Sequence, residues 1–90
     1  MSDILNAIGK TPIVKLKNIV PDGCGEIYVK LEAFNPTGSK KDRMALSMIL
    51  GAEKKGVLKK GMTVVEYSGG STGAGLAFVC SLKGYNFRLV

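Results

Sequence analysis

The period of apolar and polar positions changes along the chain, and each change marks an element. Residues 1–10 read as a short helix closed by a turn at Gly9. Thr11-Pro12 opens an extended run, Ile13-Val14-Lys15-Leu16, with alternating apolar positions. The turn signal Pro21-Asp22-Gly23 precedes a second alternating run over 26–32, with Ile27, Val29 and Leu31 on one face. Asn35-Pro36-Thr37-Gly38 is a dense turn. Beyond it the period becomes helical, with Met44, Ala45, Met48, Ile49 and Ala52 in one stripe. Ser39 is the expected N-cap of this helix, Asp42 approximates a capping box with it, and Gly56 is the expected stop. Residues 63–67 read as a mostly apolar strand, and 68–74 as a loop rich in glycine and hydroxyls. Leu76, Val79, Cys80 and Leu82 predict a helix over about 72–83 capped by Gly84, and 85–90 a last strand.

The order strand, helix, strand, helix, strand predicts βαβ units and a parallel sheet, an α/β fold in three layers. Parallel strands are normally covered on both faces, yet nothing follows the last strand. The expectation is a piece of a larger fold, or a fold completed by another chain. No internal repeat or low-complexity stretch interrupts the pattern.

Composition narrows the class. Ninety residues make one small domain with a thin core. An apolar fraction of 46% with 22% charged residues is that of a globular chain and argues against disorder. Thirteen basic against seven acidic residues give +6, but pairs such as Lys54-Lys55 and Lys59-Lys60 read as solvated charge. No arginine-rich run, aromatic ladder or zinc spacing supports nucleic-acid binding, so a basic nucleic-acid or phosphate binder would rest on charge alone. Cys24 and Cys80 form no CxxC pair, and no histidine accompanies them, so no metal is expected and both read as reduced thiols. Without an apolar signal segment or an 18-residue apolar span, the expected setting is the cytoplasm, away from membrane.

Two loops carry candidate chemistry. In Asn35-Pro36-Thr37-Gly38-Ser39-Lys40-Lys41-Asp42-Arg43, a lysine stands in the first turn of a helix. The helix dipole and the neighbouring Lys40 oppose its charge there, and an uncharged amine is what condenses with an aldehyde. The plain reading is two surface lysines on a capped helix. In Ser68-Gly69-Gly70-Ser71-Thr72-Gly73, a strand-to-helix turn presents backbone amides that suit an anion. It fits neither a Walker loop nor G-x-G-x-x-G, and its plain reading is a connection capped by Ser71 or Thr72.

Together the loops change the picture. Asn-Pro-Thr-Gly-Ser-x-Lys-Asp-Arg is similar to the pyridoxal-phosphate (PLP) lysine signature of the cysteine synthase and cystathionine β-synthase family. Residues 8–16 and 26–32 resemble the family's segments before that signature, and 66–73 its substrate-carboxylate loop, so the resemblance spans essentially the whole chain. It implies fold type II of PLP enzymes, with residues 1–34 as lead-in strands and 35–90 as the start of the small βαβ domain. It places Lys41 as the residue that holds pyridoxal 5'-phosphate. It places Ser68, Gly69, Gly70, Ser71 and Thr72 as the loop for the amino-acid carboxylate, with Ser71 also at the cofactor.

The chain departs from the pattern at three points. Lys40 stands where the family has a small apolar residue, Ser71 replaces an asparagine, and Ser68-Gly69 replaces a Thr-Ser pair. The family's glycine-rich phosphate loop and the residue facing the ring nitrogen have no counterpart in these residues. The implied reaction is β-replacement on O-acetylserine or a similar serine derivative, giving cysteine. The alternatives are a cystathionine β-synthase-like or threonine dehydratase-like lyase, or an inactive module that homo-oligomerises through its unpaired last strand.

Overall fold

The computed structural model describes residues 3–90. Met1 and Ser2, which open the expected first helix and the stretch read for a signal, lie outside the described residues. One helical turn, α1 (Asp3–Asn6), buries Leu5. Strands β1 (Ile13–Lys15) and β2 (Tyr28–Lys30) pair antiparallel, with Val14 opposite Val29. Flanking bonds from Leu16 N–H to the Ile27 carbonyl and from Leu31 N–H to the Pro12 carbonyl, both 2.9 Å, lengthen the ladder toward the predicted runs. Their connection carries turn residues and no helix, which suits antiparallel pairing, since parallel neighbours are usually joined through a helix. A 3₁₀ turn, Glu32–Phe34, leads to helix α2 (Lys41–Lys54), strand β3 (Thr63–Glu66), helix α3 (Ser71–Lys83) and strand β4 (Asn86–Leu89).

Helix α3 is a crossover, and β3 and β4 run parallel with Val64 beside Phe87 and Glu66 beside Leu89. The α/β class with a parallel sheet therefore holds. Among the described residues, the strand–helix order yields one parallel pair, because β2 is paired to β1 in a separate sheet.

The core lies where α2, α3 and the inner face of β3–β4 meet. Ala45, Ile49, Leu76, Val79, Cys80 and Tyr85 are buried there, backed by Val64 and Phe87. Two residues of the expected stripes fall outside it. Met48 is 49% exposed and Leu82 40%. Counted at 100° per residue from the buried positions, both lie about a quarter-turn off the stripe. Asp42 and Lys83 continue the stripes instead. Lys83 reaches Glu53 at 3.1 Å, and the Tyr85 hydroxyl donates to the same carboxylate. That bond holds the Glu53 carboxyl below its usual range and, with burial second, pushes the Tyr85 phenol up to about 12. The carboxyl ends of α2 and α3 are thereby tied together. Gly84, at φ +83°, closes α3 in the left-handed conformation that suits glycine. Cys24 is exposed and Cys80 buried, both as free thiols. Among the described residues no helix is long and apolar enough to cross a membrane.

Candidate functional site

The turn before α2 is fixed by buried side chains. Asn35, only 3% exposed, accepts the Gly9 N–H at 2.8 Å and donates to the Glu32 carbonyl and carboxylate at 3.0 Å each. Asp42 is fully buried. One of its oxygens accepts the Thr37 N–H at 2.7 Å, and the other accepts the Thr37 hydroxyl. Ser39 Oγ accepts the Lys41 N–H at 3.0 Å. Lys40, not the expected Ser39, is the N-cap of α2, Ser39 holds the first helical N–H from one residue earlier, and the expected capping box does not form. Asp42 lies on the inward stripe of α2, where Thr37 is its partner, so its carboxylate is turned into the fold rather than back along the chain. Lys41 is half-buried as the first residue of α2, and Lys40 is exposed.

A polar clamp joins this turn to the amino-terminal segment. Arg43 Nε donates to Glu32 at 2.6 Å and Nη2 to the other carboxylate oxygen at 3.1 Å. Nη2 also reaches the Gly9 carbonyl at 2.8 Å and Thr11 Oγ1 at 3.2 Å, and the Thr11 hydroxyl donates to Glu32 at 2.5 Å. Arg43 first, and Thr11 next, hold the Glu32 carboxyl down to about 2. The same pairing raises the Arg43 guanidinium. Reading the sequence assigned neither Glu32 nor Arg43 a task. The available signal was a carboxylate closing an alternating strand and an arginine in the next helix's first turn.

At the second loop, Ser68 supplies the side-chain acceptor. Its Oγ accepts the Gly70 N–H at 3.2 Å and the Gly73 N–H at 3.1 Å. Ser71 and Thr72 lie inside the first turn of α3, one residue earlier than expected and not as its cap. Their own amides stand where a helix offers no acceptor. Gly69, Gly70 and Ser71 are exposed and Thr72 half-buried. A Cβ at Gly69 or Gly70 would meet nothing within 4 Å, so the loop backbone is open to a ligand.

Gly75 brings the two loops together. A Cβ there would lie 3.1 Å from the Lys41 carbonyl oxygen and 3.3 Å from both Ala45 Cβ and an Asp42 oxygen. Only a residue without a side chain lets α3 approach the start of α2 this closely without displacement. The amino ends of both helices therefore adjoin, with the start of α2 meeting α3 at Gly75, about one turn beyond Ser71. An open groove of about 580 Å³ also borders Ser68, Gly69 and Gly70, but its other walls are Gly73, Ala74 and Ala77 of α3 with Phe87 and Leu89 of β4. Lys41 is not among the residues that line it. Chemically, the two helix starts supply a primary amine on one and amides without helical acceptors on the other, the group types of a nucleophile and of an anion holder.

Comparison with known proteins gives this arrangement a context. The family model described as pyridoxal-phosphate dependent enzyme matches residues 4–90. The cysteine synthase of Staphylococcus aureus is 55% identical over 85 residues, covering 94% of this chain and 27% of its own length. The crystal structure of O-ureido-L-serine synthase superposes with a TM-score of 0.86 at 51% identity, over 96% of this chain and 27% of that one. The O-acetyl serine sulfhydrylase isoform 3 from Entamoeba histolytica does so with a TM-score of 0.89 at 40% identity, over 100% of this chain and 28% of that one. The chain spans less than a third of the length of these relatives.

Proposed function

The chain belongs to the family of pyridoxal-phosphate dependent enzymes, and from that premise we propose that it supplies the cofactor lysine and carboxylate loop of a cysteine synthase-type enzyme. Its fold is that of the fold type II members. The residues present fit one end of the cofactor. Lys41, a half-buried residue, begins α2, and that helix start packs on α3 at Gly75, about one turn beyond the amide-bearing first residues of α3. The phosphate and ring nitrogen would be held outside these residues.

In this reading Lys41 holds the cofactor through its amine, and the amine, once released, takes the proton from the substrate's Cα. The cofactor, when bound, supplies the electron sink that makes that proton acidic. The Ser71 and Thr72 amides bind the amino-acid carboxylate, with the Ser71 hydroxyl within the same turn. Gly69 and Gly70 leave the backbone bare for that approach. Ser68 contributes less directly, because its oxygen already accepts two loop amides, though its proton can still be donated. The leaving group at Cβ, acetate if the substrate is O-acetylserine, departs with its bonding electrons, hydrosulfide forms the new Cβ–S bond, and the Lys41 amine returns the proton to Cα. The name of the Entamoeba histolytica relative, an O-acetyl serine sulfhydrylase, favours a serine derivative as substrate. A cystathionine β-synthase-like or threonine dehydratase-like lyase is the alternative within the family, separable by homocysteine and threonine as substrates. Residues 35–90 would open the small domain, and a cytoplasmic setting would keep Cys24 and Cys80 reduced.

The adjoining helix starts carry the proposal. The test joins this chain to the part of the Staphylococcus aureus cysteine synthase that it does not span. The chimera is expected to bind PLP, seen as visible absorbance, and to make cysteine from O-acetylserine and sulfide. Lys41→Ala is expected to abolish both, and a variant that keeps both overturns the assignment. The 90-residue chain alone is expected to give no stoichiometric band. A second, non-catalytic reading rests on the uncovered outer edge of β4, which could pair with another copy. It expects a dimer in sedimentation at micromolar concentration, and a monomer counts against it.

A further inference from the structure

Resting on that reading, we propose that Asp42 is the positioning residue for Lys41, acting through Thr37. A fully buried carboxylate directly after an amine-bearing residue needs an explanation. Simple charge pairing with the neighbouring lysine does not supply it. Both Asp42 oxygens are instead engaged by Thr37, one by its N–H at 2.7 Å and one by its hydroxyl. Thr37 is the third residue of the turn that delivers Lys41, so this double contact closes a ring from Thr37 through Ser39 to Asp42.

Two further contacts bear on the same point. Ser39 Oγ holds the Lys41 N–H at 3.0 Å. Gly75 packs against both the Lys41 carbonyl and an Asp42 oxygen, so the carboxylate is also the surface on which α3 rests. Displacing Asp42 would release the turn on one side of Lys41 and the helix contact on the other. Asp42 touches no reacting atom. It fixes the backbone from which the amine projects.

The experiment compares lysines within one chain. The folded protein is incubated with millimolar PLP, reduced with borohydride and mapped by peptide mass spectrometry. This traps adducts without requiring stoichiometric binding or activity. The native chain is expected to label Lys41 several-fold more than Lys40. Asp42→Asn is expected to lower that ratio at least threefold while labelling at Lys54 and Lys59 stays unchanged. Thr37→Val is expected to do the same, and Thr37→Ser, which keeps the hydroxyl, to restore the native ratio. If Asp42→Asn fails to fold, the Thr37 pair decides. A native chain without preference for Lys41 overturns the assignment of the amine itself. A native preference that survives both Asp42→Asn and Thr37→Val overturns the positioning role and leaves the assignment of Lys41 standing.

Discussion

Glu32 shows how much of the site's rigidity rests on single side chains. Its carboxyl is held down to about 2 from a usual 4.5, chiefly by Arg43 and then by Thr11. A carboxyl depressed in the fold stabilises it above the usual value, and that contribution fades as pH falls from about 4.5 towards 2. The urea midpoint is therefore expected to drop over this window. In Glu32→Gln it should start lower at pH 7 and fall less steeply, the residual slope coming from Glu53, whose carboxyl is also held low. Identical acid slopes in the two chains would remove Glu32 as the source. The sequence displays Lys41 and its motif, but not this clamp or the role of Asp42. Spacing alone reads Ser39 and Asp42 as a capping box. That Asp42 turns inward to Thr37 depends on which face of α2 is buried, which only packing decides. For the same reason Gly70 is the N-cap of α3, and Ser68, rather than Ser71 or Thr72, supplies the side-chain acceptor for a first-turn amide.

At the scale of elements, two glycines within helices call for opposite outcomes. Gly75 lies against the Lys41 carbonyl and Asp42, while a Cβ at Gly51 in α2 would meet nothing within 4 Å. Gly51→Ala is expected to stabilise the chain by about 0.4–1 kcal/mol, because it lowers the entropy of the unfolded state without a clash. Gly75→Val is expected to cost about 1–3 kcal/mol by overpacking the crossing of α2 and α3. Chemical denaturation of both variants checks the signs, and a neutral Gly75→Val would mean the two helix starts are not held as close as they lie here. Helices and strands were readable from period and punctuation, to within a residue or two at their ends. Strand pairing was less so. The run from β2 through α2 to β3 has the order of a parallel unit, yet β2 pairs with β1. Loop chemistry between 16 and 27 favours that hairpin, and strand order alone does not reveal it.

Over the whole molecule, the chain is extended, and one face of its parallel pair is exposed. The radius of gyration is 16.5 Å, against about 12 Å for a compact chain of this length, and the principal extents are 55 × 27 × 21 Å. The inner face of β3–β4 meets α3, but Val65 on its outer face is 59% exposed and stands beside Arg88. Parallel sheets are ordinarily packed on both faces, and the relatives that share this fold are more than three times as long. The outer face should therefore behave as surface in this chain and as core once the part of a relative that it does not span is joined to it. Val65→Thr separates the two states. In the chain alone it is expected to change stability by less than about 0.5 kcal/mol, as substitutions at exposed positions do. In the chimera with the Staphylococcus aureus remainder, it is expected to cost at least about 1 kcal/mol, because a hydroxyl then enters an apolar layer without a partner. Paired urea titrations of the four proteins give the comparison. Equal and small effects in both contexts would show that the face stays bare in the longer protein.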